Sequence, residues 1–111
     1  MSKLFTKQTE MTRKLVNLLD FIHSHGYECT LGEAYRTPEQ AALYTKEGKG
    51  IKNSLHIDRL AIDLNLFRGG VYLTRTEDYR QVGEYWESIG GNWGGRFNDS
   101  NHFSLSFDGR K

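Results

Sequence analysis

The 111-residue chain has very little cysteine, and its charges almost cancel. A single cysteine, Cys29, excludes an internal disulfide and any zinc site built from several cysteines. Fifteen Lys and Arg against fourteen Asp and Glu leave a net charge of +1, which argues against binding of nucleic acid through a basic surface. The sequence has no apolar run long enough to span a bilayer. Its start, MSKLFTKQTE, lacks the apolar core of a secretory signal.

The remaining composition is that of an ordinary globular protein, 37% hydrophobic and 26% charged. A chain of this length can build one modest core. We therefore expect a single domain over residues 1–111, synthesised in the cytoplasm without a signal peptide.

The segment 53–67, NSLHIDRLAIDLNLF, contains the clearest strand in the chain. Period-2 alternation sends one set of side chains to one face of a sheet and the other set to the opposite face. The apolar set is Leu60, Ile62, Leu64 and Leu66, and the alternate set is Ala61, Asp63, Asn65 and Phe67. A carboxylate in mid-strand is costly to bury unless it is paired, hydrogen-bonded or bound to a cation. Asp63 therefore needs a partner, and His56 lies just upstream.

A second alternating segment, HFSLSF at 102–107, puts His102 on the polar face of a strand. If both strands share a sheet and a core, His102 and Asp63 emerge on the same face. Two histidines and one carboxylate suit a catalytic zinc site whose fourth position is left for water. Asp99, three residues before His102, is close enough in sequence to reach that water.

The order of these residues resembles the D-alanyl-D-alanine carboxypeptidase and L-alanyl-D-glutamate endolysin family of zinc peptidases. The family pattern is roughly S-x-H-x-x-G-x-A-x-D, followed by [ED]-x-x-H. The matching residues are Ser54, His56, Ala61, Asp63, Asp99 and His102. One position departs, because the glycine of the pattern is Arg59 here. The segment GEAYRT at 32–37, together with Gln40, resembles the upstream arginine segment of the family.

The resemblance implies one zinc ion per chain, held by His56, Asp63 and His102. It implies Asp99 as the general base and Arg36 as a cation that polarises the attacked carbonyl or holds a substrate carboxylate. By its position alone, Arg36 could equally form a surface ion pair.

Three further residues are candidates for substrate binding. Gln40 follows Arg36 on the next predicted helix, where a solvated side chain is the alternative. Ser54 is expected to orient a ligand or the substrate, because no base that could activate it as a nucleophile is evident. Trp93 could be a core aromatic that closes the sheet edge or a wall of the substrate cleft. The neighbouring glycines, which allow close approach of another chain, favour the cleft.

The activity that the resemblance implies is hydrolysis of an amide bond in the peptidoglycan stem peptide. Aspartate rather than glutamate before the last histidine is similar to the endolysin branch, which cleaves between L-alanine and D-glutamate. One alternative is a D-alanyl-D-alanine carboxypeptidase, and a second is a non-catalytic zinc module that binds cell wall or belongs to a phage particle. A phage or prophage endolysin of this kind would act as a monomer on the cell wall, released by a holin for host lysis. A chain this short leaves no room for a separate cell-wall-binding domain.

The expected architecture is α+β, similar to hedgehog and DD-peptidase domains. We predict a mostly antiparallel sheet with helices packed on one face and the zinc site on the other. Helices are predicted over 10–25 with Thr9 as N-cap, over 38–47 with Thr37 as N-cap, and over 77–89 with Thr76 as N-cap. Strands are predicted over 27–35, 60–67, 71–73 and 102–107, and a mobile glycine- and lysine-rich loop over 46–53.

Overall fold

A computed structural model describes residues 2–49 and 53–111 of the chain as an α+β fold. The helices are α1 (Lys3–Ser24), α2 (Pro38–Lys46) and α3 (Thr76–Ser88), with a short 3-10 helix at Gly94–Phe97. The strands are β1 (Glu28–Leu31), β2 (Ala61–Arg68), β3 (Val71–Tyr72), β4 (Asn92–Trp93) and β5 (His102–Ser104). Across these two described ranges, no helix combines the length and the apolar character that a membrane crossing requires.

Strand β2 is the centre of the sheet. It pairs with β1 on one side and β5 on the other, and the strand order is β1-β2-β5-β4. The short β3 also pairs with β2 as the return strand of a hairpin. Gly69 and Gly70 both have positive φ, 58° and 79°, as a two-residue turn that follows the strand twist requires. Each of these pairings is antiparallel, so the predicted sheet type is confirmed.

The core lies on one face of this sheet, under α1 and α3. The alternation predicted for β2 is confirmed, because its apolar set is buried on the face that the two helices cover. The core side chains that join them are Leu18 and Ile22 of α1, Tyr79, Val82 and Trp86 of α3, and Phe103 and Leu105 from the last strand region. Helix α2 differs from the other two, because Ala41 is its one buried residue.

Local sequence explains where α2 begins, but it misplaces the start of α1. The Thr37 hydroxyl accepts the backbone N–H of Gln40 at 3.0 Å, and Pro38 is the first helical residue, both as predicted. Helix α1 begins at Lys3, because Ser2 provides the N-cap instead of Thr9. Thr9 lies inside the helix, where its hydroxyl donates to the carbonyl oxygen of Thr6 at 3.0 Å, so the predicted N-cap was wrong.

The other predicted boundaries shift by smaller amounts. Helix α3 begins at Thr76 with Arg75 as its N-cap, so Thr76 is a helical residue and not the cap. Strands β1 and β5 are shorter than predicted, although isolated backbone hydrogen bonds continue the pairing beyond the end of each strand. Part of the loop predicted over 46–53 falls on residues 50–52, which lie outside the described residues.

Replacing Gly83 with alanine is expected to destabilise the fold by about 2 kcal/mol net, from an overpacking cost at the upper end of its usual range, about 3 kcal/mol. A Cβ at position 83 would lie 2.1 Å from Cδ2 of Trp93, whose ring packs flat against this turn of α3. The gain in helix propensity from glycine to alanine, about 1 kcal/mol, offsets only part of the clash. Thermal unfolding should show a decrease in Tm of several degrees. Ser88→Ala, on an exposed position of the same helix, should leave the Tm nearly unchanged; an equal decrease in both variants would contradict this account.

Candidate metal centre and cleft

Three side chains from a loop and two strands meet on the face of the sheet opposite the core helices. His56 lies in the loop before β2, Asp63 lies in β2, and His102 opens β5. Asp63 and His102 are direct partners in the antiparallel register. The backbone of Asp63 bonds to the other side, donating to Glu33 O at 2.9 Å and accepting from Gly32 N at 2.7 Å. Asp63 and His102 are therefore a non-hydrogen-bonded pair, the type in which facing side chains come closest.

The potential ligand atoms of these three residues all lie within 4.8 Å of one another. Asp63 Oδ1 is 3.2 Å from His56 Nε2 and 3.4 Å from His102 Nδ1. The side chains of His56 and His102 are only 3% and 10% exposed. The structure thus brings together the two histidines and the aspartate that the sequence singled out.

The donor and acceptor pattern of this cluster fits a bound cation. His56 Nδ1 lies 3.2 Å from the carbonyl oxygen of Ala34, so this nitrogen carries the proton and donates it, leaving the lone pair of Nε2 directed at the cluster. Among the described residues, Asp63 Oδ1 is buried and receives no directed hydrogen bond. A buried carboxylate oxygen that faces imidazole nitrogens without a proper donor is satisfied when a metal ion binds between them. Two neutral imidazoles and one carboxylate are a ligand set that suits zinc.

The electrostatics of the cluster favour a charged carboxylate. Burial by itself raises the pKa of Asp63, but polar contacts from His102 and His56 outweigh it and hold that pKa at about 2. Burial likewise lowers the pKa of His56, but the contact with Asp63 outweighs it, and the net pKa is raised above that of an ordinary histidine. Asp63 is therefore ionised across the neutral pH range and available as a ligand.

The loop that carries His56 is built from consecutive tight turns. The buried hydroxyl of Ser54 accepts the backbone N–H of His56 at 3.2 Å, so Ser54 orients the loop as well as lining the cleft. Arg59 has φ of 59°, a left-handed conformation that glycine adopts freely. Arginine there costs about 1 kcal/mol, which its guanidinium partly offsets by stacking over the ring of Tyr35. The centroid distance of that stack is 3.9 Å. The loop thus keeps its turn although Arg59 replaces the glycine of the pattern.

Two remote segments hold the same loop in place. Arg110 pairs with the carboxylate of Asp58 and donates Nη1 to the carbonyl oxygen of Asn53 at 3.3 Å. The amide of Gln8 in α1 donates to the carbonyl oxygen of Asp58 at 2.9 Å. These contacts join residues more than 45 positions apart, and no local pattern in the sequence could have predicted them.

The predicted cation, Arg36, lies beside the cluster in the extended segment after β1. Its backbone N–H donates to the carbonyl oxygen of His56 at 3.2 Å. Its Nε donates to Glu33 Oε1 at 2.8 Å, and its guanidinium lies over the ring of Tyr44. Gly32, at the start of this segment, approaches β2 so closely that an added Cβ would lie 3.0 Å from Asp63 Cβ. Glu33, which no pattern in the sequence singles out, is also part of the site.

Asp99 stands at the rim of the same cleft, with its side chain 54% exposed. Its Oδ2 lies 3.8 Å from His102 Nδ1, one water molecule's reach from the cluster. Burial raises the pKa of Asp99; His102 opposes this and Asp63 adds to it, so the net pKa is raised above that of an ordinary aspartate. A carboxylate with a raised pKa is a better proton acceptor than an ordinary surface aspartate.

The cleft has a volume of about 410 Å³. Its described lining is Arg36, Lys49, Ser54, Leu55, His56, Asp63, Phe97, Asp99, His102 and Lys111. Gln40, predicted to bind substrate, is not among these residues, and its backbone N–H donates to the Thr37 hydroxyl at the start of α2.

The prediction that Trp93 lines the substrate cleft is wrong. Its side chain is 1% exposed and lies in the core, where Nε1 donates to the carbonyl oxygen of Ser100 at 2.8 Å. Gly83 and Gly95 make room for the Trp93 ring, and Phe97 is an exposed aromatic that lines the cleft.

Comparison with known proteins agrees with this fold and site. A family model described as D-alanyl-D-alanine carboxypeptidase matches residues 47–105, more than half of the chain. The chain therefore belongs to this peptidase family. The match includes the three clustered residues and Asp99. No curated protein matches the chain at a significant level.

The solved structures that share the fold include two peptidases. The L-Ala D-Glu endopeptidase ChiX of Serratia marcescens superposes with a TM-score of 0.75 at 19% identity, covering 89% of this chain and 80% of its own. A mutant of the vancomycin-resistance D,D-pentapeptidase VanY, in complex with zinc(II), superposes with a TM-score of 0.60 at 20% identity. That match covers 86% of this chain and 70% of the VanY chain. The chain thus has a metallopeptidase fold, and its family and both structural relatives are peptidases.

Proposed function

We propose that this protein is a zinc metallopeptidase that hydrolyses the bond between L-alanine and D-glutamate in the peptidoglycan stem peptide. One observation carries the proposal: His56, Asp63 and His102 converge in the wall of a cleft, with the carboxylate of Asp99 beside them. A structural zinc site closes its fourth position with a protein ligand and needs no neighbouring base. A three-ligand cluster that opens to a cleft next to a carboxylate is the arrangement of a catalytic site.

Each side chain has a role that follows from its position. The zinc ion, when bound by His56, Asp63 and His102, supplies Lewis acidity toward water and the substrate carbonyl. Asp99 accepts a proton from the attacking water and delivers it to the amine nitrogen as the peptide bond breaks. Arg36 donates hydrogen bonds to the carbonyl oxygen, whose negative charge grows as the water adds.

The choice of bond is supported by the likeness to ChiX, whose structure agrees better with this chain than that of VanY does. The aspartate at position 99 supports it as well, through the resemblance to the endolysin branch. An enzyme of this type would act as a monomer on the cell wall, with the residues of the cleft contacting the stem peptide.

A D-alanyl-D-alanine carboxypeptidase is the second candidate, and the charge of the cleft favours it. Lys49 and Lys111 line the cleft along with Arg36, and such cations could hold the terminal carboxylate of a stem peptide. The description of the matching family names this activity.

The test is digestion of purified peptidoglycan with zinc-loaded protein, followed by mass spectrometry of the fragments and identification of new amino termini. New D-glutamate amino termini are the expected result. Release of free D-alanine would instead assign the carboxypeptidase activity. Intact peptidoglycan in the presence of one equivalent of bound zinc would favour a non-catalytic zinc module.

A further inference from the structure

Glu33 occupies a position between the cation of the cleft and one of the clustered histidines. Its Oε1 accepts the Nε proton of Arg36 at 2.8 Å and also contacts Nη2 of the same guanidinium. The same oxygen lies 3.7 Å from His56 Nδ1. The side chains of Glu33 and Arg36 are 25% and 13% exposed, so this ion pair is largely shielded from water.

We propose that Glu33 is a positioning residue that holds Arg36 in its working orientation and keeps it away from the metal ligands. The part that Arg36 plays in the reaction rests on the proposed function. The positioning of Arg36 by Glu33 depends only on contacts between side chains of this protein.

The first reason is the geometry of the guanidinium. Glu33 engages Nε and Nη2 on one edge, and the ring of Tyr44 covers the group at 5.0 Å. Among the described residues, Nη1 of Arg36 has no hydrogen-bond partner, so that end remains available to a substrate oxygen. A long side chain fixed on two sides before substrate arrives loses less conformational entropy when it binds.

The second reason is charge. Arg36 lines the same cleft as the carboxylates of Asp63 and Asp99. Without Glu33, the guanidinium would be attracted to these carboxylates, and pairing with Asp63 would compete directly with a metal ion. Glu33 is anchored for this task, because its carbonyl oxygen accepts the Asp63 N–H at 2.9 Å and so fixes its backbone to β2.

The experiment compares Glu33→Gln with Glu77→Gln, a matched control. Glu77 and Arg80 form another i,i+3 pair, also with an Nε to Oε1 distance of 2.8 Å, on the exposed side of α3. Three quantities are measured in each variant. They are the zinc affinity by competition with a chromophoric chelator, the NMR signal of the Arg36 Nε–H, and the separate values of kcat and KM.

In Glu33→Gln we expect the Arg36 Nε–H signal to broaden and the zinc affinity to fall several-fold. We expect kcat to fall by roughly tenfold with KM almost constant, because the displaced guanidinium would stabilise the transition state less well. Glu77→Gln should match the wild type in all three. A sharp Arg36 signal and an unchanged zinc affinity in Glu33→Gln would overturn the proposal. These two readouts need no substrate, so they still decide the question if the wild type proves inactive on peptidoglycan.

A double variant tests whether Glu33 acts through Arg36. In the Arg36→Ala background, Glu33→Gln should cause no further loss of kcat or of zinc affinity. A loss as large as that seen in the wild-type background would refute the proposed route through Arg36.

Discussion

Replacing Asp99 with asparagine is expected to lower kcat by roughly 10²–10⁴-fold, the usual contribution of a general base, while zinc still binds. Asparagine preserves the size of the side chain and its place at the rim of the cleft, but it cannot accept the proton of the attacking water. Asp99 is not among the three clustered residues, so the metal affinity should remain within about twofold of the wild type, since its ligands are unchanged.

The measurement is single-turnover cleavage of a stem peptide, together with zinc affinity on the same samples. Asp20→Asn, on an exposed turn of α1, serves as the control and should retain full activity. Hydrolysis by Asp99→Asn at the wild-type rate would exclude Asp99 as the base. A loss of zinc together with activity would instead make Asp99 a fourth ligand.

Replacing His102 with alanine is expected to abolish tight zinc binding. The variant keeps only two of the three clustered side chains, and loss of an outer partner of a ligand alone already costs about 10–100-fold in affinity. Because the wild-type cluster joins β2, β5 and the preceding loop, zinc at 1,000 times its dissociation constant should stabilise the fold by about 4 kcal/mol. For a protein of this size, that raises the Tm by more than roughly 10 °C.

Thermal unfolding with and without zinc tests this directly. The wild type should show the increase in Tm, and His102→Ala should show none. His23→Ala removes an exposed histidine from α1 and should preserve the full increase. An equal zinc-dependent increase in His102→Ala would mean that the metal binds elsewhere.

The parts of the fold that local sequence determines were predictable. The start of α2 depends on Thr37 and Pro38, which act within one turn, and the hairpin depends on two adjacent glycines. The side on which Asp63 lies follows from the alternation of β2, since a strand has only two faces. The convergence of Asp63 with His102 required one further assumption, that both strands share a core, and the structure bears this out.

The errors arise where distant residues decide the outcome. Trp93 looked accessible because glycines surround it, but the space over Gly83 and Gly95 is filled by the Trp93 ring itself. The position of Glu33 depends on a segment that continues along β2 beyond the end of β1, which no periodicity reveals. The early start of α1 is an exception of a different kind, because the Ser2 cap is local and was outweighed by the apolar pattern that begins near Met11.

Asp63 and His102 face each other across β2 and β5, so the metal site forms only when these two strands pair in the correct register. A slip of β5 by one residue would place Asn101 or Phe103 opposite Asp63 and turn His102 toward the helices. A misfolded molecule could preserve its strands and much of its secondary structure, yet it would have no place for the metal. Zinc uptake therefore counts the properly assembled molecules in a refolded preparation, which circular dichroism alone cannot do.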